Sequence, residues 1–340
     1  MAVRPVGPDE PFAWFGGTLA TGLAEVSDDP RVLDGAGWWA VVATFEGRLT
    51  CARFTDVRRA PLPPAPAWRG PARAAWRSTL DEPAYVAACA RVRELIAAGE
   101  VYQVNVCRVL SASIPHGADL LALAHVLAEG NPAPYGGFVR LPGLQVVSAS
   151  PELYLGRAGE RVTSGPIKGT AATAADLQDK DVAENVMIVD LVRNDLSAVA
   201  VAGSVEVPRL CVVEAHPGLV HLVSTVTARL RHGVGWSDVL DATFPPGSVS
   251  GAPKSSALRA IDEVEPVPRG VYCGAVGFVD ADRDTARLAV GIRTFWAEAG
   301  MLSFGTGAGI TWGSDPRREW AETELKAARL LGLAGGGDAT

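Results

Sequence analysis

Two stretches of the sequence carry carboxylate pairs at a spacing that could bind a metal ion. Asp181 and Glu184 lie three residues apart in KDVAENVMIVDLVRNDL, and Glu319 and Glu322 repeat this spacing in SDPRREWAETELKAARLL, with Lys326 one turn further on. Residues three apart share a face of a helix, so two such helices facing each other would present carboxylate oxygens alone. Such ligands suit Mg²⁺. Solvated helix surfaces are the alternative, and for either pair taken singly they are the better interpretation.

A lysine among turn-forming residues is the second candidate. Lys168 lies in GPIKGT, between Pro166 and Gly169. A solvated loop lysine is the ordinary interpretation of such a segment. A nucleophilic lysine is the alternative, and it requires that the amine be partly neutral, through burial or nearby cations. The segment alone does not decide between the two.

Three polar residues follow apolar segments. Arg293 ends the predicted strand RLAVGIRT, and its guanidinium could bind a carboxylate through two parallel hydrogen bonds. Tyr272 in RGVYCGAVGF and His221 in LVHLVS are compatible with a site, but core packing with a satisfied polar tip is the ordinary account of each.

Two glycine-rich segments fail the tests for nucleotide binding. In GSVSGAPKSS two residues separate Gly251 from Lys254, whereas a P-loop has none between its second glycine and its lysine. GTGAGI, which contains Gly309, lacks the last spacing of G-x-G-x-x-G. We interpret both as loops in which the backbone approaches a ligand closely.

The composition is that of a soluble globular protein. The chain has 340 residues, 48% of them hydrophobic and 20% charged, which predicts one large or two medium domains. A net charge of −7 without a basic, aromatic-rich run argues against nucleic-acid binding. Scattered cysteines without a CxxC pair, and no apolar stretch of about 20 residues, predict a cytoplasmic protein that is not bound to a membrane.

The predicted elements come in clusters. A hairpin is expected over residues 36–54, helices from Asp81 to about Gly99 and from Leu120 to Leu127, and a strand in VYQVNVCRVLSA with Tyr102 facing away from Gln103. Further helices are expected at 181–196 and 315–331, and further strands in GGFVRL, LQVVSAS, 221–231, GAVGFVD, RLAVGIRTFWA and MLSFGTGAGITW. Because strands and helices do not alternate strictly, this order favours an α+β fold.

Ten segments, in this order, resemble the chorismate-utilising enzymes: GEVYQVN, SASPEL, PIKGT, KDVAENVMIVDLVRNDL, HLVS, FPPGSVSGAPK, RGVYCGAVGF, IRT, GTGAGI and SDPRREWAETELKA. This family includes anthranilate synthase component I, aminodeoxychorismate synthase component I and the isochorismate and salicylate synthases. The resemblance implies an α+β fold of two large β-sheets packed against each other, with helices outside and the active site between the sheets. It also implies a short N-terminal region (1–79) that contributes strands to the same fold, a chorismate-binding catalytic domain (80–332) and a flexible tail (333–340).

The resemblance implies roles in the Mg²⁺-assisted replacement of a hydroxyl of chorismate. Glu184 and Glu322 would bind Mg²⁺ directly, and Asp181 and Glu319 would bind its waters. The metal would hold the ring carboxylate. The other implied contacts are Arg293, Tyr272 and Gly309 at the enolpyruvyl carboxylate, Gly169 and Thr170 at the ring carboxylate, Lys326 beside the metal and His221 beside the ring.

Lys168 selects a branch of the family. Anthranilate and isochorismate synthases resemble PIAGT at this segment, whereas the aminodeoxychorismate synthases carry PIKGT, as this chain does. The branch implies that Lys168 attacks C2 of chorismate while Glu152, in SPEL, protonates the departing C4 hydroxyl. Ammonia then displaces the lysine by attacking C4, which gives 4-amino-4-deoxychorismate. Glu152 would need a raised pKa to hold its proton near neutrality.

Gln103 is the second marker of the branch. The isochorismate and salicylate synthases resemble one another in placing a lysine at this strand position, where it activates water. A neutral amide cannot serve as that base, so Gln103 favours amination over hydroxylation.

The source of ammonia is expected to lie outside this chain. No segment resembles the G-x-C-x-G nucleophile of a glutaminase, so a separate glutamine amidotransferase subunit, or free ammonia, would supply the amine. Formation of p-aminobenzoate, for folate or for another product, would need a separate lyase. The alternatives are anthranilate synthase component I, 2-amino-2-deoxyisochorismate synthase, and a catalytically silent paralogue that binds chorismate.

Overall fold

The computed structural model describes residues 6–7, 9–171, 173–216 and 219–335. Within these ranges the helices are α1 (Glu82–Ala97), α2 (Leu120–Gly130), α3 (Asp179–Ser197), α4 (Trp236–Thr243), α5 (Lys254–Val264) and α6 (Pro316–Ala334). The first nine strands are β1 (Phe12–Phe15), β2 (Thr18–Ser27), β3 (Trp38–Ala43), β4 (Leu49–Arg59), β5 (Arg77–Ser78), β6 (Gln103–Ser113), β7 (Tyr135–Leu141), β8 (Leu144–Ser150) and β9 (Leu153–Ala158). The others are β10 (Arg161–Gly165), β11 (Ile167–Ala171), β12 (Glu206–His216), β13 (Leu219–Arg229), β14 (Gly251–Ala252), β15 (Ala275–Asp280), β16 (Thr285–Val290), β17 (Thr294–Glu298) and β18 (Met301–Ile310).

The strands form one continuous antiparallel ladder. Its first arm runs from β12 through β13, β10 with β11, β9, β16, β15 and β3 to β4. The second arm runs from β2 through β1, β7, β8, β17 and β18 to β6, whose far side pairs with the short β5 and β14. The arms join where β2 pairs with β4. The two predicted sheets are therefore the arms of a single ladder.

The ladder folds back so that its arms pack against each other. β1 and β15 are four strands apart along the ladder, which would separate them by about 19 Å in a flat sheet. Yet the rings of Phe15 and Phe278 lie 6.1 Å apart, and Phe15 also lies 6.3 Å from Trp38 of β3. Buried residues of both arms share one core. This confirms the predicted α+β fold.

The helices cover the outside of the ladder. α3 packs on β11 and β13 of the first arm, whereas α6 packs on β18 and also contacts α1 and α2. A second core lies beneath α2 and α6 and includes Phe138, Phe295 and Leu330. In the described part of the chain, no helix is long and apolar enough to cross a membrane.

Several predicted elements differ from the observed ones. α5 begins at Lys254 in a segment that the sequence analysis interpreted as a loop. Tyr102 lies before β6 and is 69% exposed, so the prediction that it belongs to this strand, on the face opposite Gln103, is wrong. The last helix runs three residues beyond the predicted 331, so that the first residues of the expected tail are helical. Residues 336–340 lie outside the described residues.

Candidate active site

Lys168 is a largely buried strand residue. It belongs to β11, its side chain is 10% exposed, and its Nζ lies 2.8 Å from Oε1 of Glu184 on α3. A bulge follows, because Lys168 pairs with Leu222 but Thr170 pairs with His221. The residue between is Gly169, whose φ of +73° and close approach to Asp181 leave no room for a side chain. The interpretation as a solvated loop lysine is therefore wrong.

Glu184 joins the two arms. Lys168 contacts it from the first arm, and the amide Nε2 of Gln103, at the start of β6 in the second arm, donates to the same Oε1. Burial would raise the pKa of Glu184, but Lys168, the Gln103 hydrogen bond and Lys326 outweigh it and lower that pKa. Gly309 lies against this group, since a Cβ at position 309 would strike Nε2 of Gln103 and approach Oε1 of Glu184 to 2.9 Å.

Glu152 has the properties of a general acid. It lies between β8 and β9 and is 3% exposed. Burial raises its pKa to about 7, although hydrogen bonds from Ser248 and from the backbone of Ile167, and the charge of Lys168, act in the opposite direction. A carboxyl group with this pKa is about half protonated at neutral pH and mostly protonated at about pH 6, so it can donate a proton to a leaving group.

Arg293 and His221 form a second group in the cleft. His221 on β13 is 2% exposed, and its Nε2 lies 3.4 Å from Nη2 of Arg293. Arg293, between β16 and β17, has a φ of +50°, a conformation that residues other than glycine rarely adopt. Burial, together with Arg329, lowers its pKa. In the described ranges Arg293 forms no ion pair with a carboxylate, so its guanidinium is available to an anionic ligand.

Tyr272 is placed by a glycine of β18. It is 5% exposed, and a Cβ at Gly305 would strike its ring. Burial raises the pKa of Tyr272, which keeps it a neutral phenol. Its predicted contact with the enolpyruvyl carboxylate stays a prediction. The side chain of Thr170, also expected at the site, lies outside the described residues.

Each of the four predicted metal ligands interacts with a different protein group. Oδ2 of Asp181 accepts a hydrogen bond from the backbone of Gln178 at 2.8 Å, at the start of α3. Glu322 pairs with Lys326 at 2.6 Å. Burial, and the charge of Glu322, raise the pKa of Glu319, although Ser314 and nearby lysines act in the opposite direction. Among the residues described, no three histidine, cysteine or acidic groups are gathered closely enough to hold a metal ion.

The donor types nevertheless fit Mg²⁺. The acidic residues on α3 and α6 offer only carboxylate oxygens, which are the ligands that this ion prefers. The two helices also approach each other, because Lys326 of α6 lowers the pKa of Glu184 and Lys180 of α3 acts on Glu319. Glu184 and Glu322 would have to exchange their lysine partners for the metal.

Two parts of this region were missed by the sequence analysis. Ser248 follows Gly247 in GSVSGAPKSS, the segment that does not match a P-loop, and its side chain forms a hydrogen bond with Glu152. Lys254 of the same segment forms a buried ion pair with Asp195, 2.6 Å from Nζ to Oδ2. The two partners are 59 residues apart, and no local pattern connects them.

The cleft between the arms of this α+β ladder contains a buried acid, a largely buried lysine and an arginine that has no carboxylate partner among the described residues, an arrangement that suits an anionic ligand. A family model described as "chorismate binding enzyme" matches residues 41–332. The chain therefore belongs to the chorismate-binding enzyme family.

Relatives with two different names are equally similar. The chain is 38% identical over 270 residues to aminodeoxychorismate synthase component 1 of Escherichia coli, covering 75% of this chain and 58% of that protein. It is also 38% identical over 285 residues to anthranilate synthase component 1 of Thermus thermophilus, covering 80% and 61%. The chain thus spans about three fifths of the length of these curated relatives.

Solved structures share the fold. Anthranilate synthase component I from Streptococcus pneumoniae superposes with a TM-score of 0.78 at 24% identity, covering 97% of this chain and 91% of that one. The menaquinone-specific isochorismate synthase of Escherichia coli gives a TM-score of 0.83 at 18% identity, with 95% and 88% covered. At these identities the likeness shows the fold alone.

Proposed function

We propose that this enzyme aminates chorismate at C4 to give 4-amino-4-deoxychorismate. The observation that carries the proposal is Lys168, whose amine is buried in the cleft beside Glu184 and close enough to Glu152 to affect its pKa. A nucleophile and a general acid thus share one site. Residues that resemble PIAGT, typical of the anthranilate synthases, would offer no amine here.

The proposed reaction consists of two displacements. Lys168 attacks C2, the ring double bonds shift, and the C4 hydroxyl leaves as water with a proton from Glu152. Ammonia then attacks C4, the double bonds shift back, and the bond between C2 and the lysine nitrogen breaks. Because the lysine now forms an ion pair with Glu184, it becomes a nucleophile only after that pair separates and the amine loses a proton.

Other side chains would bind the substrate. Arg293 would take the enolpyruvyl carboxylate through two hydrogen bonds, with Tyr272 and the backbone near Gly309, and His221 would lie beside the ring. Gly169, Thr170 and Lys326 would lie near the ring carboxylate. Mg²⁺, held directly by Glu184 and Glu322 and through water by Asp181 and Glu319, would supply the positive charge that neutralises this carboxylate.

Gln103 supports ammonia as the nucleophile. It is 1% exposed, its Nε2 donates to Glu184, and its Oε1 has no hydrogen-bond partner among the described residues. An amide is not a base, so this position cannot activate water by removing a proton. We propose that the ammonia comes from a separate glutaminase subunit and that the enzyme works in the cytoplasm.

Anthranilate synthesis is the second candidate. The equal identity to anthranilate synthase component 1 of Thermus thermophilus favours it, whereas Lys168 argues against it. A catalytically silent chorismate-binding protein is disfavoured, because Glu152, Lys168 and Glu184 are all in place.

Mass spectrometry of the product tests the proposal. The purified protein is incubated with chorismate, Mg²⁺ and an ammonium salt at mildly alkaline pH, with and without an aminodeoxychorismate lyase. A product that yields p-aminobenzoate only when the lyase is present supports amination at C4. Anthranilate without the lyase would instead identify Lys168 as a bystander.

A further inference from the structure

A small cavity lies behind Glu152. It is bounded by β9 and β10 of the first arm, by α3, and by the turn over residues 246–248. Most of its wall is apolar. Six of the lining residues carry side-chain groups that can form hydrogen bonds: Glu152, Tyr154, Ser164, Asp195, Thr243 and Ser248.

A second carboxyl group also lines this cavity, that of Asp195. Asp195 is 9% exposed, and its Oδ2 accepts a hydrogen bond from Lys254 at 2.6 Å. Lys254 also donates to the carbonyl of Thr243 at 3.0 Å, so its position is fixed. Oδ1 of Asp195 has no hydrogen-bond partner among the described residues. Burial raises the pKa of Asp195 to about 6, although Lys254 acts in the opposite direction.

The neighbouring hydroxyl groups are already oriented. The Thr243 hydroxyl donates to the carbonyl of Val239 at 2.7 Å, so at 2.6 Å it must accept from the phenol of Tyr154. The hydrogen atoms of both hydroxyl groups are thus used in bonds to groups other than Asp195. Oδ1 of Asp195 therefore remains able to accept a hydrogen bond from a small molecule in the cavity.

The cavity is large enough for ordered water. It offers about 20 Å³ to the centre of a water molecule, and roughly 10–15 Å³ is sufficient for one water when two to four polar partners are present. Glu152 and Asp195, which both line the cavity, provide such partners. The side chains of Asp195 and its partner Lys254 are 10% and 16% exposed, so Asp195 contacts both the cavity and the solvent.

We propose that Asp195, through water in this cavity, returns a proton to Glu152 after each turnover. The inference rests on the proposed function of Glu152 as the acid. Glu152 is 3% exposed, and bound substrate would cover the cleft in front of it. The cavity is then its route to solvent protons, with Asp195 as the relay and Lys254 as the residue that positions Asp195.

The proton balance is closed. Glu152 becomes a carboxylate when the hydroxyl leaves as water. The cavity water gives Glu152 a proton and receives one from Asp195, which takes a proton from solvent beside Lys254. That proton equals the one lost when ammonium in solution becomes the attacking ammonia, so each cycle converts chorismate and ammonium into the protonated amine product and water.

Two variants and one matched control test the relay, and a fourth variant, Asp195→Ala, is used for chemical rescue. Asp195→Asn keeps the shape of the side chain but removes the carboxyl group. Val192→Ile adds a methylene group to a residue that lines the cavity, so it displaces water without changing a polar group. The matched control is Asp190→Asn, an exposed aspartate of the same helix that pairs with Arg193 on the surface.

The assay follows chorismate consumption by rapid mixing, with Mg²⁺ and an ammonium salt, for the first turnover and for the steady state. At pH 6, below the pKa of about 7, most Glu152 carries its proton at the start, so in Asp195→Asn and Val192→Ile the first turnover should proceed at the wild-type rate. Later turnovers should be slower by about tenfold, which appears as a burst of one chorismate per site. Formate should restore the steady-state rate of Asp195→Ala by replacing the lost carboxyl group.

Two results would overturn the relay. One is an equal loss of rate in the first and later turnovers of Val192→Ile, whose melting temperature shows whether it is folded. The other is a steady-state rate of Asp195→Asn that equals the rate of the control Asp190→Asn. Because the assay measures chorismate and not the product, failure of the relay is distinct from failure of the proposed amination at C4.

Discussion

Replacing Glu152 by glutamine should make the stability of the protein less dependent on pH. The folded protein buries this carboxyl group, so ionising it costs free energy that the unfolded chain does not pay. A pKa of about 7, in place of the ordinary 4.5, corresponds to about 3 kcal/mol at alkaline pH. Because Glu152 is 3% exposed, solvent screening reduces this value little.

The sign follows from the raised pKa. The contribution of Glu152 to the free energy of unfolding is fully present below pH 4.5 and is lost as the pH rises through 7. In the glutamine variant this loss is absent. The free energy of unfolding of the variant, minus that of the wild type, should therefore increase by about 2.5 kcal/mol between pH 5 and pH 9.

Urea unfolding across this pH range, without added Mg²⁺, measures the difference. Glu160→Gln is the matched control, because Glu160 is exposed in the turn between β9 and β10, and it should reproduce the wild-type profile. The same Glu152→Gln variant should lose about 10²–10⁴-fold of its activity. Parallel pH profiles for the wild type and Glu152→Gln would show that position 152 holds no buried proton, and the assignment of the general acid would fail.

Other predictions concern the lysine, the cleft and the metal. Lys168→Ala and Lys168→Arg should both lose at least about 10³-fold in aminodeoxychorismate formation, and full activity in the alanine variant would exclude the covalent route. Gly309→Ala should impair chorismate turnover, because its Cβ strikes Gln103, whereas Gly313→Ala, which meets open space, should not; equal kinetics would contradict the packing. Arg293→Lys should raise the KM for chorismate by about tenfold, and an unchanged KM would place the carboxylate elsewhere. Chorismate should raise the melting temperature only with Mg²⁺ present; the same increase in EDTA would argue against the four carboxylates as metal ligands.

The helices of the site could be predicted because their signals are local. α3 was expected at 181–196 and runs over Asp179–Ser197, and its carboxylates follow from helical spacing. Alternation failed at β6 because Val104 and Gln103, on opposite faces, are both buried. A strand covered on both sides gives no contrast between apolar and polar positions. In the sequence, a buried glutamine such as Gln103 therefore cannot be distinguished from a polar residue on the solvent-exposed face of a strand.

The contacts that assemble the site could not be predicted from local patterns. Gln103 and Glu184 are 81 residues apart in the sequence, so no local pattern connects them. The bulge at Gly169 shifts the register between Lys168 and Thr170, and it depends on the pairing of β11 with β13. Such pairings are set by the closure of the whole ladder, and only the resemblance to a known family brought these residues together in advance.

The N-terminal strands help to hold together the two arms that carry the candidate site. β3 pairs with β15 along six residues, and β1 pairs with β7 along four. Between these pairings, β4 and β2 provide the join of the two arms. Without residues 12–59, β15 and β7 would be unpaired edges, and the packing of Phe15 against Phe278 would be lost. Lys168 lies in the first arm and Gln103 in the second, so their meeting at Glu184 depends on strands that carry none of the chemistry.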